Sequence, residues 1–144
     1  MEYNDTNIEV KKIKDYNYSD ETKLIFTDVD TGDTIGYIIF TEECFSDNYD
    51  ERFDGQEVCE IVDDFLPMSI DYLEVLDAYK GEGFGKFIMQ YTIDNYIQDN
   101  PCILLKCAFN VNANDKDIAN RNLIDFYKQF GFKCIPNSNY MFKK

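Results

Sequence analysis

Apolar residues alternate with polar ones through the first part of this 144-residue chain and switch to helical spacing later. Ile8 to Lys14 alternates and predicts a first strand. Lys23-Leu24-Ile25-Phe26-Thr27-Asp28-Val29 and Thr34-Ile35-Gly36-Tyr37-Ile38-Ile39-Phe40 predict two more, joined at Thr31-Gly32. From Glu42 to Asp64 the period is weak, which predicts a loop with one short strand at Val58 to Val62. Ile70-Asp71-Tyr72-Leu73-Glu74-Val75-Leu76 mixes apolar and acidic residues and reads as a strand ending at Asp77. Phe84, Phe87, Ile88 and Tyr91 then recur on one helical face, and the helix runs to about Gln98, before Asn100-Pro101. Cys102 to Phe109 is apolar enough for a buried strand, and Asn110 to Asp117 is polar loop. A late helix is expected from about Ile118 to Phe130, with Leu123, Phe126, Tyr127 and Phe130 on one face. Asp115 or Asp117 can cap its start, and Gly131 fits the left-handed position that ends it. Phe132 to Ile135 and Tyr140 to Phe142 make a closing hairpin around Pro136-Asn137-Ser138-Asn139.

Composition bounds what such a chain does. An apolar content of 44%, with 12 Phe and 11 Tyr, argues against disorder, and the length suits one domain spanning residues 1–144. No run is long enough to span a membrane, and Met1-Glu2-Tyr3-Asn4-Asp5 lacks the regions of a signal peptide, so a cytoplasmic location is expected. Cys44, Cys59, Cys102, Cys107 and Cys134 lack paired close spacing and read as reduced thiols. With no histidine in the chain, Cys–His and Ser–His nucleophile pairs and a Cys/His zinc site are excluded. Asp28-Val29-Asp30-Thr31-Gly32-Asp33 lacks the sixth-position glycine and the twelfth-position glutamate of a calcium loop, and is expected to be a hairpin turn. No metal is implied.

The net charge of −14 is unevenly distributed. Ten acids face one base between Glu42 and Asp64, whereas the last 80 residues balance nine acids with nine bases. Nucleic acid is disfavoured as a direct partner, because phosphate backbones demand a basic footprint. A cationic acceptor would be drawn to the acidic segment. The competing reading is an acid-rich surface that keeps the chain soluble.

The most informative stretch is Tyr79-Lys80-Gly81-Glu82-Gly83-Phe84-Gly85-Lys86, where three glycines at alternate positions join a strand to a helix. Glycine lets the main chain turn tightly and approach a ligand. First-turn N–H groups and the helix dipole favour an anion there, and Lys80 and Lys86 add positive charge. A Walker loop is ruled out by Phe87 after Gly85-Lys86, and the dinucleotide pattern by Lys86 where its third glycine belongs. A tight turn without a ligand is the alternative.

The loop resembles the coenzyme A pyrophosphate loop of the GNAT family of N-acetyltransferases. There a Gln or Arg, two residues, a Gly, one residue and a Gly or Ala follow the central strand. Here Lys80 stands in the Gln/Arg position, keeping the charge but not the planar fork, and Gly83 and Gly85 match the rest. A second stretch, Asn120-Arg121-Asn122-Leu123-Ile124-Asp125-Phe126-Tyr127-Lys128-Gln129-Phe130-Gly131-Phe132, is similar to the family's late helix. Asn120, Tyr127, Gly131 and Phe132 match, while Leu123 replaces the usual small residue. The resemblance covers roughly Asp71 to Lys144.

It implies an α+β fold, with a mixed, mostly antiparallel central sheet flanked by helices. The N-terminal part is abbreviated, because Asp15 to Thr22 is too short for the family's first helix pair. Acetyl-coenzyme A (acetyl-CoA) is the implied cosubstrate. Leu73, Val75, Lys80, Gly81, Gly83, Phe84, Gly85, Lys86 and Asn120 are the implied coenzyme-binding positions. Direct transfer in a ternary complex to a primary amine is the implied reaction, on a protein lysine, an N-terminus or a polyamine-like cation. Tyr127 would protonate the departing thiolate. Asp71 shares strand parity with Leu73 and Val75 and is the candidate base, with Glu74 on the opposite face. Glu60, Asp63 and Asp64 are further candidates from the acidic segment. A non-catalytic acyl-CoA-binding or protein-interaction module on the same fold is the alternative. Nothing in the sequence sets the acyl length or the oligomeric state.

Overall fold

The computed structural model describes residues 1–15, 21–42, 56–104, 116–136 and 140–144. Among them are strands β1 (Glu2–Tyr3), β2 (Thr6–Asp15), β3 (Glu21–Asp28), β4 (Thr34–Thr41), β5 (Met68–Val75), β6 (Cys102–Leu104), β7 (Lys133–Cys134) and β8 (Met141–Lys143). The helices are α1 (Gln56–Phe65), α2 (Phe84–Thr92) and α3 (Lys116–Lys128). This is the mixed, mostly antiparallel α+β class expected from the sequence. β2 ends at Asp15 and β3 begins at Glu21, so no helix pair fits between them. The chain forms two compact units, Met1–Glu42 with Ile70–Gln98, and Glu43–Ser69 with Asp99–Lys144.

In the first unit β1 to β5 are neighbours in sequence order. β1 and β2 pair antiparallel around Asn4 and Asp5, whose φ of 50° and 61° are the left-handed pair of a type I′ turn. β3 buries Thr22, Leu24, Phe26 and Asp28 and leaves the alternate positions half-exposed, the period of two that the sequence displays. β4 buries Ile35 and Gly36 in succession and then alternates, burying Ile38 and Phe40. A Cβ at Gly36 would collide with the Glu74 carbonyl oxygen and come within 3.1 Å of Val75 Cα, so glycine permits β4 and β5 to approach there. α2 contributes Phe84, Ile88 and Met89 to this core, and Phe26 meets Phe87 and Tyr91 edge-on. Past Thr92 the helix widens into a π-turn over Ile93–Ile97 and stops at Gln98, with φ of 51°, slightly before Asn100-Pro101.

The second unit corrects one expectation. The short strand expected at Val58 to Val62 is helix α1. Val58, Ile61, Val62 and Phe65 recur at three- and four-residue spacing. Val58 and Val62 are fully buried with Ile103 and Ile135, and Ile61, Tyr140 and Phe142 pack against them. Each such aliphatic side chain contributes about 1.5–3 kcal/mol on burial, enough for a ten-residue amphipathic segment to fold as a helix by packing rather than propensity. Glu60, Asp63 and Asp64 occupy its exposed side. β7 and β8 form the expected closing hairpin, with Lys133 opposite Phe142 and Cys134 opposite Met141, and β6 pairs β8 from the other side. The remainder of the expected 102–109 strand, the loop to 115 and the hairpin tip at 137–139 lie outside the described residues. α3 starts at Lys116, which puts Asp117 inside the helix rather than at its cap; Asp115 lies outside the described residues. Gly131 closes the helix with φ of 96°. Cys59, Cys102 and Cys134 are in the thiol form.

Candidate functional site

The glycine loop grows directly from the first unit's sheet. Leu76 N–H still donates to the Ile35 carbonyl (2.8 Å), after which Asp77–Tyr79 tightens into a 3-10 turn. Gly81 and Gly83 follow with φ of 80° and 85°, and Gly83 is the residue from which α2 departs. The first helical bond runs from Phe87 N–H to the Gly83 carbonyl, so the amides of Phe84, Gly85 and Lys86 precede the helical ladder. No side chain caps this end, and no acid stands in its first turn. Main-chain donors left open in this way can hold an anion. Phe84 contributes only its backbone, because its ring is buried between Tyr3 and Tyr79 (centroids 5.5 Å from each).

The two lysines differ. Lys86 is exposed on α2. Lys80 Nζ pairs with Asp77 Oδ1 at 2.9 Å, with both side chains largely in solvent. That bond, and then the Asp77 charge, push the Lys80 pKa above its ordinary value, so the ammonium stays charged. An exposed pair of this kind holds weakly, and a phosphate could draw the ammonium away from it.

Two tyrosines, Tyr3 and Tyr79, to which sequence reasoning gave no role, support the loop. Tyr79 donates to Asp28 Oδ2 (3.1 Å), and Asp28 Oδ1 accepts from the Asp30 amide (3.0 Å), so the β3–β4 turn and the loop share one buried carboxylate. Tyr3 stacks on Phe87 at 4.8 Å and brings its hydroxyl within 2.7 Å of where a Gly83 Cβ would lie. The adjacent Asn4-Asp5 turn dipeptide is the signal that could have revealed the β1–β2 hairpin carrying Tyr3.

On β5, Leu73 and Val75 are half-buried beside Asp71 and Glu74. Thr41 Oγ1 donates to Asp71 Oδ2 at 2.7 Å, which fixes the orientation of that carboxyl. Glu74 is engaged separately: the Tyr37 hydroxyl donates to its Oε2 at 2.7 Å, and Tyr37 stacks on Tyr72. The Glu74 hydrogen bond and burial raise the Tyr37 pKa well above the usual phenol range, which keeps Tyr37 a neutral donor.

Asp71, Leu73, Val75 and the loop residues 80–86 thus share one unit, whereas positions 120 and 127 belong to the other, nearly two turns apart on α3. Tyr127 is half-buried, with its ring edge-on to Phe126 (5.1 Å) and Phe132 (6.3 Å). Beyond α3, Lys128, Gly131, Phe132, Lys133 and Cys134 line a depression of about 480 Å³ that Tyr127 does not line. Among the described residues, no group of three or more His, Cys, Asp or Glu side chains could hold a metal. No helix among them is long and apolar enough to cross a membrane.

The architecture recurs in solved acetyltransferase structures, so the fold is the GNAT fold. A Corynebacterium glutamicum structure of histone acetyltransferase HPA2 and related acetyltransferase is similar over 89% of this chain and 66% of its own, with 14% identity and a TM-score of 0.56. A mutant of the toxin AtaT, bound to the C-terminus of the antitoxin AtaR and acetyl-CoA, is similar over 94% and 91%, with 12% identity and a TM-score of 0.51. The KacTA–DNA complex is similar over 86% and 67%, with 14% identity and a TM-score of 0.52. This chain therefore spans about two thirds of the first and third of these proteins. No protein-family model and no curated protein matches the sequence.

Proposed function

We infer that this chain is an acetyltransferase that moves an acetyl group from acetyl-CoA to a primary amine. The observation that carries the reading is the uncapped, acid-free start of α2 behind Gly81 and Gly83, a cradle suited to a pyrophosphate. Lys80 and Lys86 would add charge to it, and Asn120 would hold the pantetheine. The reading takes residues 1–144 as one acetyltransferase-like domain.

Transfer would be direct, within a ternary complex, so that proximity supplies much of the rate gain. Main-chain groups at Leu73 and Val75 would hold the thioester, and a donor aimed at its oxyanion is worth a few kcal/mol of barrier. An alkyl ammonium has a pKa of about 10.4 and must lose a proton before it attacks. Asp71, oriented by Thr41, is the candidate acceptor of that proton. The amine nitrogen then bonds to the carbonyl carbon and gives up a second proton to solvent, the carbon–sulfur bond breaks, and the leaving thiolate takes the Tyr127 hydroxyl proton. Solvent restores both groups.

The acceptor in this reading is a cation, and its counterpart is the acidic surface that includes Glu60, Asp63 and Asp64. The net charge of −14 argues against nucleic acid as the direct acceptor. DNA in the KacTA complex is a property of that protein. The test is thermal: acetyl-CoA should raise the melting temperature of the chain, because a ligand that binds only the native state stabilises it. An unchanged melting curve at millimolar acetyl-CoA would remove the cosubstrate from the account.

A further inference from the structure

The face of the first unit's sheet that carries Tyr37 holds a cluster the coenzyme cradle does not use. Tyr37 on β4 and Tyr72 on β5 stack with centroids 5.6 Å apart and ring planes 19° from parallel. The Tyr37 hydroxyl donates to Glu74 Oε2 at 2.7 Å. Lys23 from β3 lays its ammonium over the Tyr37 ring, 4.2 Å from the centroid. Tyr72 is 44% exposed, so its ring is open to solvent. Two electron-rich rings and a carboxylate therefore meet at one place, and the chain's own primary ammonium lies against one of those rings, Tyr37.

That combination is chemically selective. Ring faces attract a cation through their quadrupole, most strongly where water is partly excluded. A carboxylate beside them adds charge complementarity that a neutral alkyl chain cannot use. A lysine side chain matches both, with an apolar stem to lie along the rings and an ammonium to face Glu74. Tyr72 and Glu74 flank Leu73 on β5, the strand whose main chain would hold the thioester. A cation bound here would lie against that strand.

We propose that Tyr37, Tyr72 and Glu74 form the recognition subsite for a lysine side chain of a polypeptide acceptor, and that Lys23 holds the Tyr37 ring until the acceptor displaces it. The proposal rests on the acetyltransferase reading for its purpose, but not for its binding chemistry. Lys23 is accordingly a competitor built into the sheet, and its removal strengthens acceptor binding.

The experiment titrates the full chain, followed by NMR shifts of the tyrosine rings, with Nα-acetyl-lysine N-methylamide and with its norleucine counterpart. The lysine amide should bind more tightly than the norleucine amide, and Lys23→Met should tighten it further, by about two- to fivefold, the size of one exposed cation–π contact. Tyr72→Ala and Glu74→Gln should each weaken it by a similar factor. A gain of affinity in Lys23→Met cannot arise from misfolding, so that variant decides the matter even if Tyr72→Ala folds poorly. Equal binding of the two amides overturns the subsite, and so does a Lys23→Met variant that binds no more tightly than the parent. Spermidine binding more than fivefold tighter than the lysine amide overturns the polypeptide source. Lysine selectivity without any acetyl-CoA-induced thermal shift would sink the transferase reading alone. Turnover with an acceptor KM indifferent to these substitutions would sink the subsite alone.

Discussion

Gly83 should be irreplaceable for two separable reasons. Its φ is 85°, in the left-handed region, where a residue with a Cβ costs roughly 1–2 kcal/mol. An added Cβ would also lie 2.7 Å from the Tyr3 hydroxyl, whereas the next atom of that ring, Cζ, is at 3.7 Å, an ordinary contact. Gly81 is the internal control, with φ of 80° and nothing within 4 Å of its added Cβ. Gly81→Ala should therefore cost only the backbone term. Gly83→Ala must in addition move Tyr3 off Phe87, its stacking partner at 4.8 Å, and forfeit about 0.5–1.5 kcal/mol of aromatic contact. Together Gly83→Ala should cost about 1.5–3.5 kcal/mol. Equilibrium urea unfolding of the parent, both alanine variants, Tyr3→Phe and the Tyr3→Phe/Gly83→Ala double variant closes a mutant cycle. Removing the hydroxyl removes the clash, so in the Tyr3→Phe background Gly83→Ala should cost no more than Gly81→Ala. Equal costs for the two alanine variants in the parent background, or no relief from Tyr3→Phe, would refute the reasoning. Gly81→Ala is also the cleaner probe of coenzyme binding, because it leaves Tyr3 in place.

Three further outcomes follow from the same geometry. Tyr127→Phe should lower turnover on the order of a hundredfold while leaving coenzyme affinity nearly intact, since the hydroxyl acts only as the thiolate leaves; an equally fast variant with chemistry rate-limiting would return Tyr127 to a packing role. Neutralising Glu57, Glu60, Asp63 and Asp64 together should raise the acceptor KM and flatten its salt dependence, with acetyl-CoA affinity unchanged; indifferent acceptor kinetics would make the acidic face a solvated surface. Tyr37 has its pKa raised by Glu74, so the folded chain retains a proton that the unfolded chain releases. Its stabilising contribution is full below about pH 10 and is lost as pH climbs beyond that. Stability measured across this alkaline range should fall less steeply in Tyr37→Phe than in the parent, and parallel curves would discount the Glu74 hydrogen bond.

What was legible in the sequence followed from local pattern. The alternation of Leu24 and Phe26, the Gly81 to Gly85 spacing and Gly131 each report a backbone requirement that neighbouring residues state on their own. Helix α1 was hidden because Glu57, Glu60, Asp63 and Asp64 crowd ten residues, so four apolar positions at helical spacing looked like weak periodicity. β1 has two residues, too few for any period, although the Asn4-Asp5 turn marked it. Lys80 was legible as a charge, and its partner Asp77 stands at the i,i+3 spacing that brings side chains together, yet the pull towards phosphate obscured it. Tyr37 with Glu74, and Tyr79 with Asp28, could not be read at all. They are 37 and 51 residues apart, and only strand register and loop path bring them within hydrogen-bond reach.

Acetyl transfer itself is tested most directly by mixing the full chain with acetyl-CoA and a lysine-containing peptide, then following both products together. Mass spectrometry reads the peptide, and a thiol reagent reads the released coenzyme A. The account predicts acetyl-lysine and free thiol appearing in equal amounts, with both suppressed in Tyr127→Phe. Acetyl-CoA that stabilises the chain but yields neither product from lysine, N-terminal or polyamine acceptors would contradict it, and would leave a coenzyme-binding module in place of an enzyme.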